Sequence, residues 1–227
     1  MRAAIEARLN EIWYRRETPP WYLRVLVPLY RVLAAADRKR HRSSVAKDLQ
    51  GRCIVVVGNL TAGGTGKTPL IIRLCDLIRA TGLKPGVISR GYGRADSKQR
   101  LVSSDSDPGA VGDEPLLIAQ RSGVPVMVGP SRVDAARALF DTGVDVVLSD
   151  DGLQHLRLPR AIEICLVDGE RGFGNGCLLP AGPLREETSR LAEVDHVILT
   201  GGHEGSPALK GPEGDIECIA MEVHARK

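Results

Sequence analysis

The stretch Gly58-Asn-Leu-Thr-Ala-Gly-Gly-Thr-Gly-Lys-Thr68 decides the fold, because an apolar β-branched run leads into it and a helical pattern follows it. Strand, glycine-rich loop and helix in this order are typical of a phosphate-binding loop (P-loop). Its glycines let successive amides point at phosphate oxygens, and the helix N-terminus adds positive charge. Lys67 would reach the outer phosphates, and the Thr68 hydroxyl could ligate magnesium. The alternative is a glycine-rich turn with an incidental lysine, which the flanking strand and helix disfavour.

One position departs from the general P-loop pattern GxxxxGK[ST]. That pattern has glycine at the position where this chain has Thr61. We expect Gly63 and Gly64 to supply the backbone freedom that the first glycine would otherwise provide.

Short β-branched runs alternate with helical patterns from residue 53 onward, which is typical of a mainly parallel sheet flanked by helices. The predicted strands are 53–57, 86–89, 124–128, 144–149, 162–167 and 196–200, and the predicted helices are 67–81, 114–122 and 131–141. We therefore predict an α/β fold like that of the P-loop NTPases. The polar stretch 94–109 is predicted to be a long mobile loop.

Composition excludes several other classes of protein. The chain has 227 residues, of which 43% are hydrophobic and 26% charged, so it is neither disordered nor of low complexity. Its five cysteines are odd in number and form no CxxC pair, which argues against a disulfide framework or a zinc site and favours a reducing compartment.

Charge divides the chain into a basic arm and an acidic body. Residues 1–47 hold 11 Lys and Arg against 4 Asp and Glu, a net charge of +7 within the overall +3. Five of the eight Phe, Trp and Tyr residues fall in the first thirty positions. We predict an arm of basic amphipathic helices over 1–47 and a P-loop domain over 48–227.

The arm contains an amphipathic helix over 21–36, which Pro28 is expected to kink. One side carries Arg24, Arg31 and Arg38, and the other Tyr22, Leu26, Leu29 and Leu33. Such a helix can lie on an anionic lipid surface, or it can pack on the body through its leucine side. No apolar stretch is long enough for a spanning helix, and an export signal or a nucleic-acid-binding arm is less favoured.

Two carboxylates, Asp150 and Asp151, end an apolar strand. P-loop proteins use such an acid to hold magnesium opposite the Ser or Thr of the loop. Aspartate also starts turns, but the P-loop favours the metal-binding interpretation. His155 follows closely and could orient a carboxylate or merely satisfy the turn.

Two further motifs are candidates for chemistry. Gly112-Asp-Glu-Pro115 begins a predicted helix, so Asp113 and Glu114 could cap it or could supply a base to an acceptor hydroxyl. Ser89-Arg-Gly-Tyr-Gly-Arg94 follows a predicted strand, so its arginines could face phosphate at the carboxyl edge of the sheet.

Taken together, these motifs resemble a known family. In order along the chain they are Gly58-Asn-Leu-Thr61 with Gly63-Gly-Thr-Gly-Lys-Thr-Pro69, Ser89-Arg-Gly-Tyr-Gly-Arg94, Gly112-Asp-Glu-Pro115, Asp150-Asp-Gly-Leu-Gln-His155 and Leu179-Pro-Ala-Gly-Pro-Leu-Arg-Glu186. This ordered set resembles the tetraacyldisaccharide 4'-kinases of lipid A synthesis. The family has threonine at the first glycine position of the P-loop, which matches Thr61.

The resemblance implies an enzyme that uses ATP and magnesium to phosphorylate the 4'-hydroxyl of a tetraacylated glucosamine disaccharide 1-phosphate. It implies a peripheral or monotopic location at the cytoplasmic face of the bacterial inner membrane, with the basic arm on the membrane surface. A lipid-linked substrate is expected, and neither nucleic acid nor an obligate protein partner is.

The resemblance also implies roles for individual residues. The loop residues Thr61, Ala62, Gly63, Gly64, Thr65, Gly66, Lys67 and Thr68 would hold ATP, and Thr68, Asp150 and Asp151 would hold magnesium. Asp113 would be the base, acting with Lys67 and Arg90, and Glu114, Tyr92 and Glu186 would line the substrate site.

The resemblance ends near the C-terminus. Family members continue into a second lobe with a histidine motif, whose histidine is thought to pair with the aspartate corresponding to Asp113. Residues 217–227 look like a strand, and His224 lies in a different context. We therefore expect a truncated kinase domain in which ATP binding survives better than catalysis. The alternatives are a catalytically silent ATP-binding fragment and a P-loop enzyme with a soluble substrate.

Overall fold

The computed structural model describes residues 2–15, 18–201, 209–211, 214–216 and 218–222. The helices are α1 (Arg2–Tyr14), α2 (Trp21–Arg42), α3 (Lys67–Ala80), α4 (Pro108–Val111), α5 (Asp113–Ser122) and α6 (Arg132–Asp141). The strands are β1 (Cys53–Asn59), β2 (Pro85–Ser89), β3 (Arg100–Val102), β4 (Val126–Val128), β5 (Val146–Asp150), β6 (Ile162–Asp168), β7 (His196–Thr200), β8 (Leu209–Gly211), β9 (Gly214–Ile216) and β10 (Ile219–Met221). Short 3₁₀ helices cover Lys47–Leu49 and Thr188–Glu193.

Eight of these strands form one sheet in the order β10-β7-β6-β1-β5-β2-β4-β3, and β8 pairs with β9 separately. The pairs β1–β5, β5–β2, β2–β4 and β7–β10 are parallel, whereas β3 runs antiparallel to β4. The predicted α/β class with a mainly parallel sheet is therefore confirmed.

The chain divides into two compact units, of which the larger comprises residues 41–58 and 66–164. Its core is formed by the strands β1, β5 and β2, whose side chains are almost all buried. Fully buried members include Ile54, Val56, Ile88 and Leu148. Because these strands are parallel, their carboxyl ends meet at one edge of the sheet, and this edge carries Ser89 and Asp150.

The smaller unit comprises the described residues of 1–40, 59–65 and 165–227. In this unit the N-terminal helices are tied to the segment 180–186. The buried indole of Trp13 donates to the Pro180 carbonyl at 3.0 Å, and the Tyr30 hydroxyl donates to the Arg185 carbonyl at 2.9 Å.

All nine strands and helices predicted over 53–200 are present, with ends shifted by at most two residues. The predicted loop over 94–109 is wrong, because this stretch contains β3 and the start of α4. Strand β3 pairs with β4 in the register Leu101 to Met127, a contact between segments that are far apart in the sequence. Helix α1 lies in the arm that was predicted to be helical, although its bounds were not predicted. Residues 217–227 were predicted to form a strand, and their described part contains β10. His224 lies outside the described residues.

Helix α2 is longer than predicted and continues through Pro28 without interruption. Its arginine side faces other residues of the smaller unit: Arg38 pairs with Glu186 at 3.2 Å, and Arg31 pairs with Glu187 at 3.1 Å. Its apolar side is exposed, with Trp21, Tyr22, Val25, Leu26, Leu29, Val32 and Leu33 all at least 46% accessible. The interpretation that α2 packs on the body through its leucine side is therefore wrong. Within the described ranges, no helix has the length and apolarity needed to traverse a bilayer.

Candidate functional site

The P-loop begins at the carboxyl end of β1 and leads directly into α3. Gly66 caps the helix in a left-handed conformation (φ 75°), which glycine adopts without steric cost. Lys67 and Thr68 are the first two residues of α3, where the positive end of the helix dipole lies. Local sequence therefore places the lysine and the hydroxyl at the position expected for a phosphate site.

Asn59 holds the first part of the loop. Its side-chain amide donates to the Thr61 carbonyl at 2.8 Å and to the Gly63 carbonyl at 3.4 Å. The same amide donates to the Thr61 hydroxyl at 3.3 Å. Thr61 does not have a positive φ, so its backbone conformation does not require glycine. The threonine hydroxyl instead adds a contact that glycine could not make.

Lys67 and Asp151 form an ion pair, with 3.5 Å between Nζ and Oδ1. The lysine side chain is only 13% accessible. Strand β5 lies beside β1, in a register that aligns Asp150 with Val57. The fold therefore brings the P-loop lysine to the two carboxylates that the sequence predicted would hold magnesium.

Asp151 has an unusual backbone, with φ at 49°. A non-glycine residue pays about 1 kcal/mol for this conformation, and such strain is common at functional sites. The buried Arg132 stabilises the turn, because its Nη2 donates to the carbonyls of Asp150 at 3.0 Å and Asp151 at 3.1 Å. Burial lowers the pKa of Arg132 to about 10, which still leaves it charged at neutral pH.

Asp150 lies almost fully buried at the end of β5. The hydroxyl of Ser89, at the end of the neighbouring β2, donates to its Oδ2 at 2.9 Å. Burial raises the pKa of Asp150 to about 6, and the Ser89 hydrogen bond opposes this rise. A carboxylate at this pKa is largely ionised at pH 7, as a magnesium ligand must be.

His155 closes the turn after the acidic pair through its main chain. Its amide donates to the Gly152 carbonyl at 2.9 Å, and its carbonyl accepts a bond from Arg160 at 2.7 Å. Burial and the nearby charge of Arg132 lower the pKa of the imidazole to about 3, so it is neutral at pH 7. The turn-satisfying interpretation of His155 accounts for these contacts.

The segments around Asp113 and Tyr92 lie against each other. A Cβ built on Gly112 would stand 3.2 Å from the Tyr92 carbonyl oxygen and 3.3 Å from the Gly91 backbone. Asp113 and Glu114 are exposed in the first turn of α5, and Tyr92 is 86% accessible. The positive end of the α5 helix dipole stabilises the carboxylates of Asp113 and Glu114. Because both side chains are exposed, a substrate can reach them.

Glu186, predicted to line the substrate site, lies in the smaller unit and is buried. Its carboxylate pairs with Arg38 of α2 at 3.2 Å and lies 4.0 Å from Arg190. The structure therefore links this residue to the basic arm.

Five residues of this region were missed by sequence reasoning. Asn59 and Ser89 lie inside quoted motifs at the ends of strands, where a polar residue could have been noticed. Tyr14, Arg132 and Arg171 contact the loop or the acidic pair from distant parts of the chain, and no local pattern marks them.

Comparison with protein families finds one that matches most of the chain. The family model described as LpxK, tetraacyldisaccharide-1-P 4'-kinase, matches residues 19–227. The tetraacyldisaccharide 4'-kinase of Alkalilimnicola ehrlichii is 51% identical over 208 residues, which are 89% of this chain and 62% of that protein. The enzyme of the same name from Stenotrophomonas maltophilia is 50% identical over 192 residues, 84% of this chain and 57% of that protein.

A solved structure shares the fold. The crystal structure of LpxK from Aquifex aeolicus in complex with ATP superposes with a TM-score of 0.67 at 29% identity, over 77% of this chain and 56% of that one. The chain thus spans about three fifths of the length of the relatives that it matches.

Proposed function

The chain belongs to the tetraacyldisaccharide-1-P 4'-kinase family, and on this basis we propose that it binds ATP and transfers the γ-phosphoryl group to a lipid-linked disaccharide. The acceptor is the 4'-hydroxyl of a tetraacylated glucosamine disaccharide 1-phosphate. The observation that carries the proposal is the pair of Lys67 and Asp151, which joins the P-loop to the acidic end of β5. This arrangement suits phosphoryl transfer, which depends on positioning and charge neutralisation.

The phosphates of ATP are proposed to bind to loop 61–68, where backbone amides and Lys67 supply the positive charge. The residues fit magnesium as well: Thr68, Asp150 and Asp151 offer the hard oxygen ligands that this ion prefers. The described residues contain no group of three or more His, Cys, Asp or Glu able to hold a metal ion. Magnesium usually takes one or two carboxylates together with phosphates, and when bound it neutralises phosphate charge.

Asp113 is proposed to take the proton of the acceptor hydroxyl. The hydroxyl oxygen then forms a bond to the γ-phosphorus, the bond from that phosphorus to the β,γ-bridging oxygen breaks, and ADP leaves. Lys67 and Arg90 would stabilise the negative charge on the phosphoryl oxygens. Support comes from the exposure of Asp113 and Arg90 and from the close approach of their two segments.

Glu114, Tyr92 and Glu186 are proposed to line the acceptor site. Glu114 and Tyr92 are exposed next to the proposed base. Glu186 is buried, and its pair with Arg38 links the proposed acceptor site to the arm.

The kinase domain is proposed to span 48–227, and the arm, residues 1–47, is proposed to lie on the cytoplasmic face of the inner membrane as a peripheral element. Seven large apolar side chains of α2 are exposed along one side, whereas Arg31 and Arg38 on the other side pair with Glu187 and Glu186. Helices of this kind bury their apolar side at the boundary of headgroups and acyl chains. An enzyme bound there would meet its lipid substrate at the membrane surface. We propose no nucleic-acid ligand and no obligate protein partner.

The kinase proposal is tested with the purified chain, ATP, magnesium and the tetraacyldisaccharide 1-phosphate, by mass spectrometry of the product. We expect a bisphosphorylated product. Lys67→Ala should weaken ATP binding about a hundredfold, whereas Lys84→Ala, at an exposed lysine, should not. Asp113→Asn should lower the rate about a hundredfold or more without changing ATP affinity.

Each outcome separates the candidates. ATP binding without product would identify the chain as the silent nucleotide-binding part of such a kinase. Failure of the wild-type chain to bind ATP would refute the proposal.

The membrane proposal is tested by flotation with vesicles of phosphatidylglycerol and phosphatidylcholine. Val25→Glu and Leu29→Glu should release the chain from the vesicles, because each places a charge on the exposed apolar side of α2. Leu77→Glu is the control, since Leu77 of α3 is 47% exposed but lies on another helix. Equal binding of all three variants would refute the assignment.

A further inference from the structure

Five consecutive carbonyls of the P-loop, those of Thr61–Thr65, each accept a hydrogen bond from a side chain. Asn59 serves the carbonyls of Thr61 and Gly63 at 2.8 and 3.4 Å. The Tyr14 side chain donates to the Ala62 carbonyl, that of Arg171 to the Gly64 carbonyl, and that of Thr200 to the Thr65 carbonyl. Only Asn59 adjoins the loop, so the others come from helix α1, from the segment after β6 and from the end of β7.

Tyr14 and Arg171 act together. The Tyr14 hydroxyl donates to the Ala62 carbonyl at 3.2 Å, and the Arg171 guanidinium lies over the Tyr14 ring at 5.4 Å from its centroid. Asp168 aligns the arginine, because its Oδ2 accepts from Arg171 Nε at 2.7 Å. Burial raises the pKa of the Tyr14 phenol above its ordinary value of 10, so the hydroxyl keeps the proton that it donates.

Holding these carbonyls also orients the amides that follow them. In a trans peptide unit the C=O and the N–H are coplanar and point in opposite directions. A donor on the Ala62 carbonyl therefore turns the Gly63 amide away from Tyr14, and a donor on the Gly64 carbonyl turns the Thr65 amide away from Arg171. Since backbone amides bind the phosphates in a P-loop, these two contacts set the direction of two of its donors.

The end of α1 is anchored firmly enough to serve this purpose. The Trp13 indole donates to the Pro180 carbonyl at 3.0 Å, and the Trp13 carbonyl accepts from the Asn175 amide at 2.8 Å. A Cβ built on Gly174 would lie 2.5 Å from the Trp13 carbonyl oxygen and 3.2 Å from the Tyr14 ring. Only glycine permits this close approach, so the segment 174–180 fixes Tyr14 against the loop.

We propose that Tyr14 and Arg171 are positioning residues of the nucleotide site, which hold the P-loop carbonyls from outside so that its amides face the phosphates of ATP. The inference rests on the proposed function. It gives α1 a role in nucleotide affinity, although Tyr14 precedes residues 19–227, the range matched by the family model.

The test compares ATP affinity by isothermal titration calorimetry on the full chain carrying Tyr14→Phe, Arg171→Gln or Arg171→Lys. We expect Tyr14→Phe and Arg171→Gln each to weaken ATP binding about three- to tenfold, the effect of one lost hydrogen bond. Arg171→Lys retains a donor and should recover part of the loss. Arg137→Gln is the matched control, because this exposed arginine pairs with Asp48 and Asp134 and contacts no loop residue.

A second readout separates positioning from a general loss of structure. In turnover assays the KM for ATP should rise while the KM for the disaccharide stays constant, and the midpoint of thermal unfolding should change no more than in Arg137→Gln. ATP affinity unchanged in Tyr14→Phe and Arg171→Gln, with wild-type binding intact, would overturn this inference alone. A wild-type chain that binds no ATP would overturn the proposed function and this inference together.

Discussion

Lowering the pH from 7 to 5 is expected to destabilise the protein through His155. Burial disfavours the charged imidazole, and Arg132, Arg90 and His41 oppose protonation, while Asp151 favours it. The pKa of His155 is therefore about 3 in the folded state, against 6.5 for an unperturbed histidine. Between these two values the unfolded chain binds a proton that the folded chain does not, so stability falls as the pH falls.

The size of the effect follows from the two pKa values. Each pH unit between them is worth about 1.4 kcal/mol, and integration from pH 7 to pH 5 gives a loss of about 2 kcal/mol. Asp150 acts in the opposite sense, because its pKa of about 6 is raised and its stabilising proton is lost as the pH rises through that value. A comparison of two chains that both carry Asp150 cancels its contribution.

The assay is urea unfolding of the wild type and of His155→Gln, in magnesium-free buffer at pH 5 and pH 7. The wild type should lose about 2 kcal/mol more than the variant between these pH values, since glutamine does not titrate. His196→Gln, at the exposed start of β7, should keep the wild-type dependence. Equal pH dependence of the wild type and His155→Gln would refute the argument that burial keeps this imidazole neutral.

Three further results are expected. Leu153→Ala should lower the free energy of urea unfolding by about 2–5 kcal/mol, because Leu153 is fully buried, whereas Leu77→Ala, at a half-exposed position, should change it much less. Arg160→Gln should cost about 3 kcal/mol in the same assay, because it removes the ion pair with the buried Glu163 and a donor to three carbonyls. Cys75, whose pKa burial raises to about 12, should resist iodoacetamide at pH 8, whereas the exposed Cys53 should react, as peptide mass mapping would show.

Features that depend on neighbouring residues were predictable. The run before Gly58 and the periodic pattern after Gly66 predicted β1 and α3, because burial of a strand and of one helix face leaves a local pattern. The acidic pair at Asp150 was predicted for the same reason, since polar residues after a buried parallel strand lie at the edge where ligands bind.

Features that depend on partners far along the chain were not predictable. Strand β3 exists because it pairs with β4, and its three residues carry no pattern of their own within a polar stretch. The orientation of α2 was equally open, because amphipathicity shows that a helix has two sides but not which of them meets the protein. The glutamates at 186 and 187 decided this, since they pair with Arg38 and Arg31 and leave the apolar side exposed.

The sequence by itself therefore determined the P-loop, the acidic strand end, the α/β class and the resemblance to the kinase family, because each is built from short local patterns of neighbouring residues. Only the tertiary structure decided that Lys67 forms an ion pair with Asp151 and that Ser89 donates to Asp150. It also decided that Tyr14 and Arg171 donate to carbonyls of the P-loop. The physical reason is the range of the interactions. The conformation of a strand or a loop depends largely on its own residues, whereas a contact between residues 48 to 107 positions apart exists only once the chain has folded.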